Sequence, residues 1–219
     1  MLKESHVLLG NYLIDHFADA VQRRHKKLFL WGCVEPDYNY LTYLKGSLKN
    51  LPLRGHHYPN GKSRISRLAG RLKKNRRRNG LNFYRLGKLT HYVSDAFTHA
   101  HNPGFGGRVK GHRSYEIKLH SHFQKGLSET GFLPYPGNSG SAEAFFFELH
   151  RQYAQTAAGL SADLDYIIKV TASVFRMLVP EADGAPVRSP KLLLDCLYGI
   201  LRRGEREDGA APAYSGQLV

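Results

Sequence analysis

No stretch of this chain alternates apolar and polar residues for the length of a strand; its apolar residues recur at helical spacing instead. In "SHVLLGNYLIDHFADAVQRR", Val7, Leu8, Leu13, Ile14 and Phe17 follow that spacing behind Ser5, which is placed to act as an N-cap. A short apolar run, "LFLWGC", and two loops, "VEPDYNYLTYLKG" and "LPLRGHHYPNGK", lead to a basic helix within 62–78. Helical patterns then run from Gly80 towards Pro103, from about His112 to Leu127, and through "SAEAFFFELHRQYAQTAAG", "SADLDYIIKVTASVFRMLV" and "SPKLLLDCLYGILRR". The spacing therefore predicts an all-α, multi-helix bundle forming one domain over 1–203, followed by a disordered tail at 204–219.

A chain of 219 residues, 42% of them hydrophobic and ten of them prolines, is long enough and apolar enough to bury one sizeable core. No apolar run approaches the length of a membrane span, and "MLKESHVLLGNYLIDHF" lacks the features of a secretory leader, so the expected location is cytoplasmic, with a secreted mature form as the alternative. Cys33 and Cys196 lie far apart in apolar surroundings and are expected to be buried thiols, with a disulfide as the lesser alternative. Two cysteines cannot make a cysteine-rich zinc site, so any metal here must be held by histidine and carboxylate. The formal charge is +14, and "KSRISRLAGRLKKNRRR" carries nine basic residues and no acid. Between Ala20 and Ser128 only four carboxylates survive: Glu35, Asp37, Asp95 and Glu116. A region that keeps so few acids has a use for them, and binding a dication is one such use.

The stretch "THYVSDAFTHAHNPG" holds three histidines and an aspartate in fifteen positions, and "HRSYE" follows eleven residues after the last histidine. On a helix, residues four apart share a face, so His91 pairs with Asp95 and His112 with Glu116. Each pair is a two-donor clip of the kind zinc accepts, and two clips on adjacent helices can converge inside a bundle. One His-x3-Asp pattern alone is more often a surface pair; two clips in an acid-poor background favour metal. Helical spacing selects His99, one turn beyond Asp95, over His101, whereas the Asn–Pro–Gly run says that the helix is already ending there. His16, His25, His120, His122 and His150 read as ordinary histidines.

These segments resemble the bacterial zinc-dependent phospholipase C family. "FYRLGKLTHYVSDAFTHAHNPGF" looks like its central helix, "HRSYE" like its next histidine–glutamate element, and "GCVEPDYNY" like its metal-binding aspartate loop. "HHY" at 56–58 and "SHVLLGNYL" resemble two further histidine segments, so the likeness covers 5–117 in order. The resemblance implies zinc ligands His6, Asp37, His56, His91, Asp95, His101, His112 and Glu116, with Asp95 bridging two ions and His101 joining the His112–Glu116 pair. Alignment on Tyr58 prefers His56 to His57. Asp37 is further implied to orient or deprotonate the attacking water, and Tyr38 to contact the substrate headgroup; a core role for Tyr38 within "YNYLTY" weighs equally. Secreted members of the family place their mature amino terminus on a metal. Here Met1 lies only five residues before His6, so the expectation is two zinc ions and a third, His6 site lacking a ligand or completed by water or Asp15.

The activity so implied is phospholipase C-type hydrolysis of a phospholipid or related phosphodiester by a zinc-activated water. The similar single-strand-specific zinc nucleases are the alternative, as is a non-enzymatic helical protein with a structural zinc. Residues 62–78 read as a solvated amphipathic helix with Ile65, Leu68 and Leu72 as its apolar stripe. The same charge would suit an anionic membrane surface or a nucleic-acid backbone.

Overall fold

A computed structural model of the chain describes residues 1–17, 20–21, 23–39, 41–44, 56–106, 109–129 and 141–179. All regular secondary structure among them is helical: α1 (Lys3–His16), α2 (Arg23–Tyr38), α3 (Leu41–Leu44), α4 (Tyr58–Lys74), α5 (Gly80–Ala96), a 3-10 turn (His99–His101), α6 (Val109–Glu129), α7 (Ala142–Tyr153) and α8 (Leu160–Leu178). They belong to one compact unit, Met1–Asp183, separate from the unit Gly184–Val219. The expected last helix, Cys196 and the boundary at 203 lie outside the described residues. No described helix is long and apolar enough to cross a membrane.

The centre of the fold is α5. Asn79 caps it by accepting from the Asn82 N–H at 2.9 Å. From Leu89 to Ala96 every residue is buried, as suits a helix enclosed on all sides. α2 lies closest to it, and two glycines make the approach possible. A Cβ added at Gly32 would stand 2.2 Å from the Tyr84 carbonyl oxygen, and one at Gly87 would stand 2.1 Å from that of Phe29. Backbone therefore meets backbone at the crossing. His91 follows Gly87 by one turn and Asp37 follows Gly32 by five residues, so the crossing sets the distance between these two side chains.

Residues 34–38, expected as loop, instead form the end of α2 with Pro36 inside it. Tertiary bonds override the turn signals there. Glu35 pairs with Lys88 of α5 and accepts from the Asn39 side-chain amide at 2.8 Å. The Thr42 hydroxyl lies 2.6 Å from the Pro36 carbonyl oxygen. Ser5, expected as an N-cap, sits within α1 and places its hydroxyl 2.9 Å from His120 Nδ1; Leu2 holds the cap position with no side-chain bond. In α4 the inward stripe is Ile65, Ala69 and Leu72, with Leu68 packed partly against the core. The helix stops at Lys74, short of the expected 78. Some of its charge is structural, since Arg64 donates to the Tyr92 hydroxyl (3.1 Å) and to the Thr42 carbonyl (2.9 Å). Phe29, Phe83, Phe97, Phe123, Phe146 and Phe175 fill the core.

His150 of α7 shows how polar groups are accommodated inside. Its ring stacks on Tyr58 at 3.5 Å between centroids, and Nε2 donates to the Ala96 carbonyl and to Asn102 Oδ1, both at 3.1 Å. Burial, with some help from Lys62 and against the Ala96 bond, lowers its pKa from 6.5 to about 4. The unfolded chain therefore takes up this proton first. The stabilisation from neutral His150 is complete above pH 6.5 and is lost as pH falls through about 4. In chelator-treated protein the melting temperature is expected to fall across that window, and His150→Gln to flatten the fall by up to about 1.4 kcal/mol per pH unit. Thermal melts at half-unit pH steps check this.

Candidate metal centre

Four helices, the turn before α4 and the 3-10 turn deliver donors to one enclosed space. α5 supplies His91 and Asp95, α1 supplies His6, the end of α2 supplies Asp37, and His56 precedes α4. Three groups of donor atoms able to hold a metal ion result, each within 4.8 Å: His6–His91–Asp95, Asp37–His56–His91 and His101–His112–Glu116.

The hydrogen bonds behind the imidazoles fix which nitrogen faces inward. His91 Nδ1 donates to the Cys33 carbonyl at 2.8 Å, so Nε2 carries the lone pair. The Ser94 hydroxyl donates to the His91 carbonyl (2.9 Å) and accepts from His6 Nδ1 (3.2 Å), leaving His6 Nε2 as the inward donor. The Thr42 hydroxyl commits its proton to a neighbouring carbonyl and accepts from His56 Nε2 at 2.9 Å, leaving His56 Nδ1 to face in. His56 Nδ1 and His91 Nε2 then stand 3.1 Å apart, lone pair to lone pair. Only a proton or a cation between them reconciles that geometry.

Asp95 sits at the middle with its side chain 1% exposed. Oδ1 lies 3.4 Å from His6 Nε2, and Oδ2 lies 3.2 Å from His91 Nε2 and 3.5 Å from both His56 Nδ1 and His101 Nδ1. Asp37 Oδ1 lies 3.4 Å from His56 Nδ1. Burial alone would raise both carboxyls. For Asp37 the imidazoles of His91, His56 and His6 outweigh it; for Asp95 those of His101 and His91 do so together with the amino terminus, and both acids stay ionised well below the usual range. His6 is pushed the other way, to about 4, by burial and by His91. His56 moves the opposite way: burial lowers it, but its hydrogen bonds to Asp37 and Asp95 outweigh that and raise its pKa, so a metal bound here would displace that proton.

The third group adjoins the first. His101 Nε2 lies 3.2 Å from Glu116 Oε1, and His112 Nδ1 lies 3.9 Å from Glu116 Oε2. His112 is lowered to about 4 by burial and by His101. α5 ends at Ala96, and the 3-10 turn that follows brings His101 inward, while His99 packs its ring against Phe105 and Tyr115. The Met1 amino group lies here too, 2.7 Å from Asp95 Oδ1, 3.0 Å from Glu116 Oε1 and 3.2 Å from His101 Nε2. Burial opposes its charge, but Asp95, Glu116 and Asp37 outweigh that and hold its pKa up at about 11. The amine thus lies beside Asp95 and the His101–Glu116 pair, and Asp15 is an exposed residue of α1.

The donor set fits zinc. His6 Nε2, Asp95 Oδ2, His101 Nδ1 and His112 Nε2 are buried yet make no hydrogen bond among the described residues. Nitrogen and oxygen donors in this mixture suit a borderline dication. Tyr38 is 55% exposed and stacks on Trp31, with Lys3 Nζ 3.9 Å from its ring centre, so it is not a core aromatic. His57, the alternative to His56, stacks on His101 and His112 at 5.4 and 5.9 Å between centroids. The ordinary histidines have ordinary partners: His16 meets the Tyr12 carbonyl and His25 stacks on Phe83.

An all-α fold that turns histidines and carboxylates from six segments into one buried space defines a class, that of helical proteins with donor groups able to hold metal. The chain belongs to the zinc-dependent phospholipase C family, whose profile matches residues 5–160. No curated protein and no solved structure matches it. Family and donor groups together support a zinc phosphoesterase.

Proposed function

We propose that the protein hydrolyses a phospholipid or a related phosphodiester in the manner of a phospholipase C. His6, Asp37, His56, His91, Asp95, His101, His112 and Glu116 would hold two or three zinc ions. Asp95 would be shared between two of them. Bound there, zinc supplies charge neutralisation of phosphate oxygens, acidification of water and stabilisation of the leaving oxygen. The chain's own part is positioning. The Cys33 carbonyl, Ser94 and Thr42 hold three imidazoles in the right tautomer, and Asp37, at the end of α2, would take a proton from water. Tyr38, exposed beside Asp37, is available to a headgroup. The observation that carries this reading is the 3.1 Å approach of His56 Nδ1 to His91 Nε2 between Asp37 and Asp95.

A second reading, nuclease-like hydrolysis, draws on the exposed basic run Arg67, Arg71, Lys73, Lys74, Arg76 and Arg77, which would follow a phosphate backbone. One experiment separates the readings: metal analysis of purified protein, then hydrolysis of a chromogenic phosphocholine ester and of single-stranded DNA under the same conditions. Two or three zinc equivalents and cleavage of the ester, abolished by chelation and restored by zinc, are expected. Cleavage of DNA alone would establish the second reading. A single tightly held zinc without hydrolysis would leave a structural metal.

A further inference from the structure

Asp163 of α8 is fully buried, with 0% exposure, and lies beyond the residues matched to the family. Its carboxylate accepts three hydrogen bonds: from the His99 N–H to Oδ2 at 2.8 Å, from the Tyr115 hydroxyl to Oδ2 at 2.8 Å, and from the Tyr153 hydroxyl to Oδ1 at 2.6 Å. None of these donors is a cation. Burying a carboxylate on neutral donors is costly, and the arrangement persists only where those bonds fix something.

The donors identify what is fixed. The His99 N–H opens the 3-10 turn that carries His101 two residues on. Tyr115 stands between His112 and Glu116 on α6, adjacent to the glutamate. Both segments that supply the third donor group are therefore tied to one carboxylate, with Tyr153 of α7 bracing its other oxygen. Phe105 packs edge-on to His99 and Tyr115, at 5.4 and 5.8 Å between centroids, and closes the gap between the two segments. We propose that Asp163 is a positioning residue for the metal held by His101, His112 and Glu116, setting the separation between the 3-10 turn and α6. This rests on the metal reading of the site and extends it to a residue that touches no ligand side chain of that group.

The test is zinc binding by the full chain, measured by titration against a competing chelator and by the visible spectrum of the cobalt-substituted protein. Asp163→Ala is expected to weaken, by roughly 10- to 100-fold, the one ion that His112→Ala removes, leaving the affinity of the others unchanged. Asp163→Asn should restore most of it, because one amide oxygen still accepts from the His99 N–H and Tyr115. Tyr115→Phe, which deletes one tie without opening the core, should lower the same affinity by a smaller factor. A drop in melting temperature with every ion bound as in the wild type would overturn the proposal, as would equal weakening of all ions. If Asp163→Ala does not fold, Tyr115→Phe decides alone, and unchanged affinity at the third group refutes the inference. Wild-type protein that binds no zinc would sink the metal reading itself, a result distinct from zinc bound indifferently to Asp163.

Discussion

Asp95→Asn is expected to abolish hydrolysis, lowering turnover by roughly 10³-fold or more, on the scale seen when a main electrostatic contributor is removed from an active site. The substitution barely changes shape but removes one negative charge from the point where His6, His56, His91, His101 and the Met1 amine meet. An amide also offers only one oxygen, so two ions could no longer share the side chain. Bound zinc should fall by at least one equivalent, read by elemental analysis, while Asp15→Asn on the exposed face of α1 leaves both numbers unchanged. Full turnover with full zinc in Asp95→Asn would show that Asp95 is not the shared ligand.

The second large effect belongs to the helix crossing. Gly32→Ala or Gly87→Ala puts a methyl group 2.1–2.2 Å from a carbonyl oxygen of the facing helix, and backbone cannot step aside as a side chain can. A loss of about 2–3 kcal/mol is expected, or roughly 5–10 °C in melting temperature. The damage should reach chemistry, because α2 and α5 must separate and Asp37 then recedes from His91. Zinc affinity should drop with stability. Gly70 supplies the control: it lies inside α4 with no atom within 4 Å of an added Cβ, so Gly70→Ala should stabilise by about 0.5–1 kcal/mol. Equal, small effects at all three glycines would mean that the crossing is looser than described.

Much of this was readable beforehand because it is local. The four-residue spacings of His91–Asp95 and His112–Glu116 needed only the helix period, and the scarcity of acids between Ala20 and Ser128 marked the survivors. Three of those four carboxylates meet at the centre; the fourth, Glu35, pairs with Lys88 instead. What resisted reading depends on distant contacts. Pro36 and its neighbours look like a turn, and only bonds from Lys88, Asn39 and Thr42 make them helix. His99 would face inward if α5 ran on; it ends at Ala96, and a tighter turn changes which histidine points in. Gly32 and Gly87 carry no side-chain signal. Asp163 carries no such signal in "SADLD", because nothing in its own segment reveals that a turn 64 residues earlier donates to it.

The donors run from residue 6 to residue 116 of the sequence, and that spread has a mechanical meaning. Ions gripped at such distant points would act as reversible staples, drawing α1, α2, α5 and α6 together as sulfur bridges do in secreted domains. Stripping them should loosen the bundle as well as silence it, and a polypeptide cut once between two gripped points should stay in one piece until a chelator is added.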